Sequence, residues 1–215
     1  MGLITKIEAQ KKYKDRVNIY INDEYAISMN YDLLLKNNLK VGENVDDQFL
    51  NELVLENEKS LALSRSAKLL SKNLKTIKQM KEYLYGLGYG PSVVNYCIEK
   101  LSEYNYVNDQ NYANIYLRSV KNKYGKFKIE NELIKKGVQK NVIEETLQDF
   151  KVDESVIEAL SKKFLKNKEI NNDTISKLIR HLLSKGYSYD DIKGVVNNLR
   201  SNQDACYWDW FVRYC

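Results

Sequence analysis

The chain of 215 residues has one proline, one histidine and three cysteines. With 43% hydrophobic residues beside that single proline, long disorder is not expected. The lone histidine, His181, has Arg180 next to it and no evident acid or nucleophile partner, so it reads as an ordinary helical residue. No Cys/His cluster has zinc spacing, and Cys97 falls one position from an apolar stripe, where it reads as a small buried hydrophobe. There is no phosphate-binding glycine loop, no Gly-x-Ser-x-Gly elbow and no histidine motif. The acidic pairs Asp190-Asp191 and Glu144-Glu145 suit helix ends or solvated faces. Together these absences argue against an enzyme and imply no cofactor and no metal. No hydrophobic run approaches a membrane span and the N-terminus lacks a signal-peptide pattern, so the expected location is the cytoplasm, with no membrane partner.

What is present is a repeat. Leu84, Gly88, Tyr89, Val94, Ile98 and Leu101 return as Leu133, Gly137, Val138, Ile143, Leu147 and Phe150, and again as Leu182, Gly186, Tyr187, Ile192, Val196 and Leu199. Each step is 49 residues, a period that marks stacked helical units. Each copy predicts a short helix, a glycine that ends it with φ > 0, and a second helix whose apolar stripe faces the first. Gly90-Pro91 suits the start of the second helix in the first copy. Ser188 with Asp191 resembles a capping box in the third. A further helix precedes each pair: about Asp46 to Lys72, Asp109 to Lys123 with a stripe of Tyr112, Ile115, Tyr116 and Val120, and Asp153 to Lys166 with Val156, Ile157, Leu160 and Phe164.

Before the repeats, apolar and polar residues alternate over Leu3–Gln10, Arg16–Ile21 and Tyr25–Met29, with a turn signal at Asn22-Asp23-Glu24. The reading is a three-stranded antiparallel sheet, then a short helix from Tyr31 to about Lys36 capped by Asn30. The sheet is taken as a packing cap on the first helices rather than a binding element. The expected fold is thus mainly α: three tandem three-helix repeats in an elongated curved array, preceded by a small antiparallel β-sheet cap. The expected divisions are 1–45 for the cap, 46–104, 105–151 and 152–202 for the repeats, and 203–215 for a tail. That tail, from Asp204 as DACYWDWFVRYC, holds both tryptophans of the chain and lies beyond the last repeat. Two readings stand for it, an appended peptide closed by a Cys206–Cys215 disulfide or a divergent terminus packed on the last repeat, and it is set outside the functional argument.

The net charge of +5 is unevenly spread. Residues 1–64 carry 8 basic and 11 acidic side chains, residues 65–136 carry 14 and 6, and residues 137–215 carry 12 of each. The excess of +8 therefore sits in the middle third. Arg65, Lys68, Lys72, Lys75, Lys78 and Lys81 recur at intervals of three or four, as along a helical face or its continuation. Arg118, Lys121, Lys123, Lys126 and Lys128 surround Tyr124-Gly125, and Lys135 and Lys136 close the next helix beside its negative pole. Such a row can track a phosphate backbone or an acidic protein groove, with tyrosines available for stacking.

Four stretches taken in order resemble the RecX family of bacterial recombination regulators. They are Leu84–Tyr89 (LYGLGY) followed by Val93-Val94, Tyr106–Ala113 (YVNDQNYA) with Leu117-Arg118-Ser119, Lys123-Tyr124-Gly125 leading to Lys136-Gly137-Val138, and Lys185–Ile192 (KGYSYDDI). The likeness covers about residues 55–200, and an N-terminal sheet is similar to longer members. Asn108 stands where the family usually has an acid. The resemblance implies a non-enzymatic protein that binds the RecA recombinase filament on single-stranded DNA, lies in its groove, and restrains strand exchange, coprotease activity and filament growth, and so recombination, DNA repair and the SOS response; the repeat design itself needs no dimer, and a monomer is expected. Two alternatives rest on the residues alone: a stand-alone single-stranded nucleic-acid-binding protein, and a helical-repeat adaptor for an acidic protein.

Overall fold

The structure is a computed structural model that describes the backbone of residues 1–214 and the side chains of residues 1–201. The chain divides into two compact units: residues 1–74 with 80–107, and residues 75–79 with everything from Asn108 onward.

The first unit opens with an antiparallel sheet of order β3-β2-β1-β4, built from β1 (Gly2–Ala9), β2 (Arg16–Ile21), β3 (Glu24–Asn30) and β4 (Asn44–Val45). The fourth strand was not expected from the sequence. Two residues carry no alternation to read, yet Val45 is buried and the pair completes the edge beside Gly2 and Leu3. Asn22 and Asp23 both have positive φ, at 50° and 67°, as a tight hairpin between right-twisted strands requires. Strand alternation sends Ile4, Val17, Ile19, Ile27 and Met29 to one face. They pack there with Leu33 and Leu34 of α1 (Tyr31–Lys36) and Leu53 of α2 (Asp47–Leu70). Asn30 stands at the α1 N-cap, but its amide donates to the Ser60 hydroxyl of α2 instead of capping. Asp46 caps α2 by accepting from the Phe49 N–H at 2.7 Å.

The three-helix pattern follows. In the first unit α2 packs on α4 (Pro91–Glu103), preceded by α3 (Ile77–Gly86), whose first three residues group with the second unit. Gly90 is the N-cap of α4, and Pro91 opens it. The second unit holds α5 (Asp109–Val120), α6 (Lys126–Lys135) and α7 (Lys140–Leu147), then α8 (Glu154–Leu165), α9 (Asn172–Ser184) and α10 (Tyr189–Tyr214). Ile129, Leu133, Ile143 and Leu147 are all 2% exposed or less and make one core with Ala113. Ile157, Leu178, Leu182, Tyr187 and Ile192 make the next. Each such side chain contributes about 1.5–3 kcal/mol by leaving water. The stripe of α5 is rotated from the expected one: Ile115 is exposed at 41%, while Ala113, one position from Tyr112, is fully buried. Its neighbours Tyr112, Tyr116, Leu117 and Val120 border the core.

Gly88, Gly137 and Gly186 have φ of 87°, 82° and 86°, as the repeat requires. At each, two backbone bonds close the preceding helix. Tyr89, Val138 and Tyr187 donate to Leu84, Leu133 and Leu182, while each glycine donates to the carbonyl three residues back. The position after the glycine, buried at Val138 and Tyr187 and half-buried at Tyr89, and the buried leucine before it belong to one motif, which explains why both recur. The expected Ser188–Asp191 capping box is present, with reciprocal bonds of 2.7 and 3.1 Å. The Cys206–Cys215 pairing and the packing of the tail side chains lie outside the described residues.

Candidate nucleic-acid and partner interface

The segment from Arg118 to Lys126 contains four basic side chains and no acid. Arg118, on the last turn of α5, and Lys121, Lys123 and Lys126 are all exposed, and none has an ion-pair partner among the described residues. The helix end concentrates them: α5 stops at Val120, the chain turns through Lys121–Tyr124, and α6 starts at Lys126. This turn is fixed by backbone. The Gly125 N–H donates to the Lys185 carbonyl at 3.0 Å and the Phe127 N–H to the Gly186 carbonyl at 3.2 Å. Tyr124 is half-buried against the α5–α7 core, with the Lys185 ammonium 5.7 Å from its ring.

Beside it, Tyr112 and Tyr116 stack at 6.5 Å with planes 8° apart, and the Lys136 ammonium lies 5.6 Å from the Tyr116 ring. Burial first, then the charge of Glu132, raises the Tyr116 phenol above its ordinary value, so it stays a hydrogen-bond donor at neutral pH. Glu132 takes Lys128 at 3.5 Å and Lys135 at 3.4 Å. Burial alone would raise the Glu132 carboxyl; the bond from Lys135 and the charges of both lysines outweigh it and hold the group below the ordinary range. These two lysines are therefore partly neutralised, and the uncompensated charge rests on Arg118, Lys121, Lys123 and Lys126.

The other basic residues are dispersed. The row from Arg65 to Lys81 does not follow one helix, because α2 ends at Leu70 and α3 begins at Ile77. Arg65, Lys68 and Lys72 are exposed in the first unit, with the Arg65 guanidinium 5.7 Å from the Tyr89 ring. Lys81 is half-buried in the same unit, whereas Lys75 and Lys78 group with the second. Lys78 lays its aliphatic stem over Gly137. Next to it, Thr76 and Gln79 form a reciprocal capping box with two 3.2 Å bonds. The Thr76 hydroxyl also donates to the Lys136 carbonyl at 2.6 Å, so Lys136 is held by its backbone as well as by its ring contact. Lys185 was missed from the sequence, where only its proximity to Tyr124 through the fold makes it part of this surface.

Little else converges. Among the described residues no group of three or more His, Cys, Asp or Glu side chains is placed to hold a metal, and no helix is long and apolar enough to cross a membrane. His181 stacks on Phe164 at 4.9 Å, and burial with the charges of Lys185 and Lys168 keeps it below its ordinary pKa. An open groove of about 620 Å³ in the first unit is lined by the Lys36–Glu56 ion pair and by Lys59 and Tyr96, groups already engaged with one another.

A sheet followed by three-helix units, with its chemistry spread over an exposed basic surface, is the architecture of a sheet-capped helical-repeat protein. Comparison with known proteins gives the family. Residues 2–46 match the regulatory protein RecX N-terminal domain, residues 108–147 the second RecX three-helix domain and residues 152–196 the third. The chain is 35% identical over 202 residues to the regulatory protein RecX of Clostridium tetani, covering 91% of this chain and 94% of the relative. It is 39% identical over 207 residues to that of Clostridium botulinum strain Alaska E43, covering 91% and 95%. The RecX of Bacillus subtilis is 30% identical over 210 residues, covering 95% of this chain and 80% of the relative. A crystal structure of regulatory protein RecX superposes with a TM-score of 0.70 at 26% identity, over 90% of this chain and 98% of the other. The chain belongs to the RecX family of regulatory proteins.

Proposed function

We propose that this chain regulates a RecA recombinase, mainly as an inhibitor, by binding the RecA–single-stranded DNA filament in its groove and so modulating recombination, DNA repair and the SOS response. Family membership along nine-tenths of the chain supports the regulatory reading. The observation that carries the binding mode is the acid-free run Arg118, Lys121, Lys123, Lys126, exposed at a helix junction whose backbone is pinned by Lys185 and Gly186. Cations held on a fixed scaffold suit a phosphate backbone or an acidic protein surface. Lys128, Lys135, Lys136, Lys75, Lys78, Lys81, Arg65, Lys68 and Lys72 contribute field around it. The protein acts in the cytoplasm, as a monomer, without cofactor.

The test is the ATPase rate of the cognate RecA on single-stranded DNA, titrated with this protein near physiological salt, with binding to bare DNA measured in parallel. Inhibition at protein levels well below RecA, with weak bare-DNA binding, is the expected result. A second reading, a stand-alone single-stranded DNA binder, is favoured by the tyrosines beside the lysines; it requires inhibition only when the protein saturates the DNA. No inhibition and no DNA binding would leave a helical adaptor.

A further inference from the structure

The N-terminal sheet has an outer face whose chemistry the acidic balance of residues 1–64 conceals. Within residues 6–16 stand Lys6, Lys11, Lys12, Lys14 and Arg16 against Glu8 and Asp15, a local excess of +3. Because Val17, Ile19, Ile27 and Met29 point into the core, Arg16, Asn18, Tyr20 and Ser28 face away from it. The register sets Lys6 opposite Tyr20, Glu8 opposite Asn18, and Tyr20 opposite Tyr25.

At one end of this face the Lys6 ammonium lies 5.3 Å from the Tyr20 ring and 3.1 Å from the Glu8 carboxylate, which also accepts from the Tyr20 hydroxyl at 3.5 Å, and Tyr20 meets Tyr25 edge-on at 6.1 Å. In the middle, the Gln10 amide donates to Asn18 Oδ1 and Ser28 Oγ, both at 2.7 Å, so the centre is a low polar ladder. At the other end is the hairpin loop. Lys11, Lys12, Tyr13 and Lys14 are all exposed, with the Lys12 ammonium 5.6 Å from the Tyr13 ring. The loop is closed beneath them by the Gln10 N–H on the Arg16 carbonyl at 2.9 Å and the Arg16 N–H on the Tyr13 carbonyl at 3.0 Å. The Arg16 guanidinium is itself held on the Ser28 carbonyl at 3.0 Å.

We propose that this outer face and its hairpin loop bind single-stranded nucleic acid, as a site distinct from the Arg118–Lys126 surface in the other unit. Lysines lie beside aromatic rings at both ends, the pairing that lets phosphates follow lysines while bases stack on tyrosines; the charge is carried by Lys11, Lys12 and Lys14 at the loop, because Lys6 is shared with Glu8. The four residue steps from Arg16 to Tyr20 span about 13 Å at ~3.3 Å per residue. That is room for about four stacked nucleotides at ~3.4 Å each. A duplex hides its base faces and offers these rings nothing to stack on. An acidic peptide would use the lysines and leave the tyrosines idle.

The test uses the full chain and a fluorescein-labelled oligothymidylate, with affinity read by anisotropy from 50 to 200 mM salt. In Lys11→Ala/Lys12→Ala/Lys14→Ala, whose changes lie in the exposed loop, the expected slope of log affinity against log salt is shallower by about 2, since each phosphate contact on a single strand contributes about 0.7. In Tyr13→Ser/Tyr20→Thr the expected loss is about thirtyfold or more with the slope unchanged, because stacking releases no counterions. Arg118→Glu/Lys121→Glu/Lys123→Glu is measured beside them. A lysine variant with native circular dichroism and unchanged slope and affinity overturns the proposal, whether or not the Arg118 variant binds more weakly. Equal displacement of the oligonucleotide by oligoglutamate at matched charge also overturns it and assigns the face to an acidic protein.

Discussion

Gly125 and Gly186 meet backbone to backbone. The Gly125 N–H donates to the carbonyl before Gly186, and a Cβ on Gly125 would overlap the Gly186 carbonyl itself. Gly186 faces the Lys128 backbone and also holds φ of 86°, while Gly125 has φ of −78°. The two requirements on glycine are thus separable, and Gly88 supplies the reference. It has φ of 87° with nothing within 4 Å of a Cβ. Gly88→Ala is expected to cost about 1–2 kcal/mol, the left-handed penalty alone. Gly186→Ala should cost distinctly more, and Gly125→Ala should cost stability without any left-handed penalty. Urea midpoints of the three variants measure this. Equal losses in Gly186→Ala and Gly88→Ala would show that the close approach carries no energy.

Much of this architecture was legible because the repeat is written in side chains. The leucine and glycine of each helix end recur at 49-residue steps and are buried and left-handed as their pattern required, while the residue after the glycine is buried at Val138 and Tyr187 and half-buried at Tyr89. The Gly125–Gly186 junction was not legible, because backbone atoms recognise each other there and leave no side-chain pattern. The helix expected from Asp109 does start there, but the residue that caps it was not read from the sequence. Asn108 caps it through the Asn111 N–H, which frees Asp109 for a longer reach. The basic surface was legible only as composition. Sequence spacing gave Lys128 and Lys135 the same weight as Lys121 and Lys123, and the Glu132 pairing that separates them depends on side-chain placement.

Asp109 reaches the first turn of α3. Its carboxylate accepts the Ile77 N–H at 2.9 Å while only 8% exposed. Burial raises its pKa above the ordinary aspartate value, more than the Ile77 bond lowers it. A carboxyl with a raised folded-state pKa binds its proton more tightly when folded. Stability from this group therefore grows as pH falls through the window above the usual aspartate range, and is lost as pH rises through it. Asp109→Asn, which keeps an acceptor and removes the charge, should be at least as stable at pH 7 and should lose this part of the pH dependence. Asp109→Ala leaves the Ile77 N–H unpaired and should cost about 1–3 kcal/mol. Urea midpoints of all three proteins at pH 7 and pH 5 test the assignment; a stabilised Asp109→Ala would refute it.

Cys97 reports on the first unit. It is fully buried in α4, and desolvation pushes its thiol up to about 11. The thiolate is the reactive form, so both access and ionisation are suppressed. In a Cys206→Ser/Cys215→Ser background, Cys97 should resist an aromatic disulfide reagent at pH 8 and react fully in denaturant. Its labelling rate then follows opening of the α2–α4 packing. Rapid labelling of the folded protein would contradict the burial.

The functional proposal makes its sharpest demand at Arg118, Lys121 and Lys123. All are exposed, at or just beyond the end of α5, and unpaired among the described residues, so reversing them to Glu removes no packing. The triple variant should melt near the parent temperature yet bind the RecA filament at least tenfold more weakly at physiological salt, with the deficit narrowing as salt rises and screening removes the parent's advantage. Lys128→Glu/Lys135→Glu is the informative comparison. Those lysines already neutralise Glu132, and reversing them gathers three carboxylates on one face of the helix over two turns. That variant should lose stability more than the first and filament affinity less. If instead the Arg118 triple variant inhibits RecA ATPase as strongly as the parent, this surface has no part in the mechanism, and the binding face must be sought elsewhere in the chain.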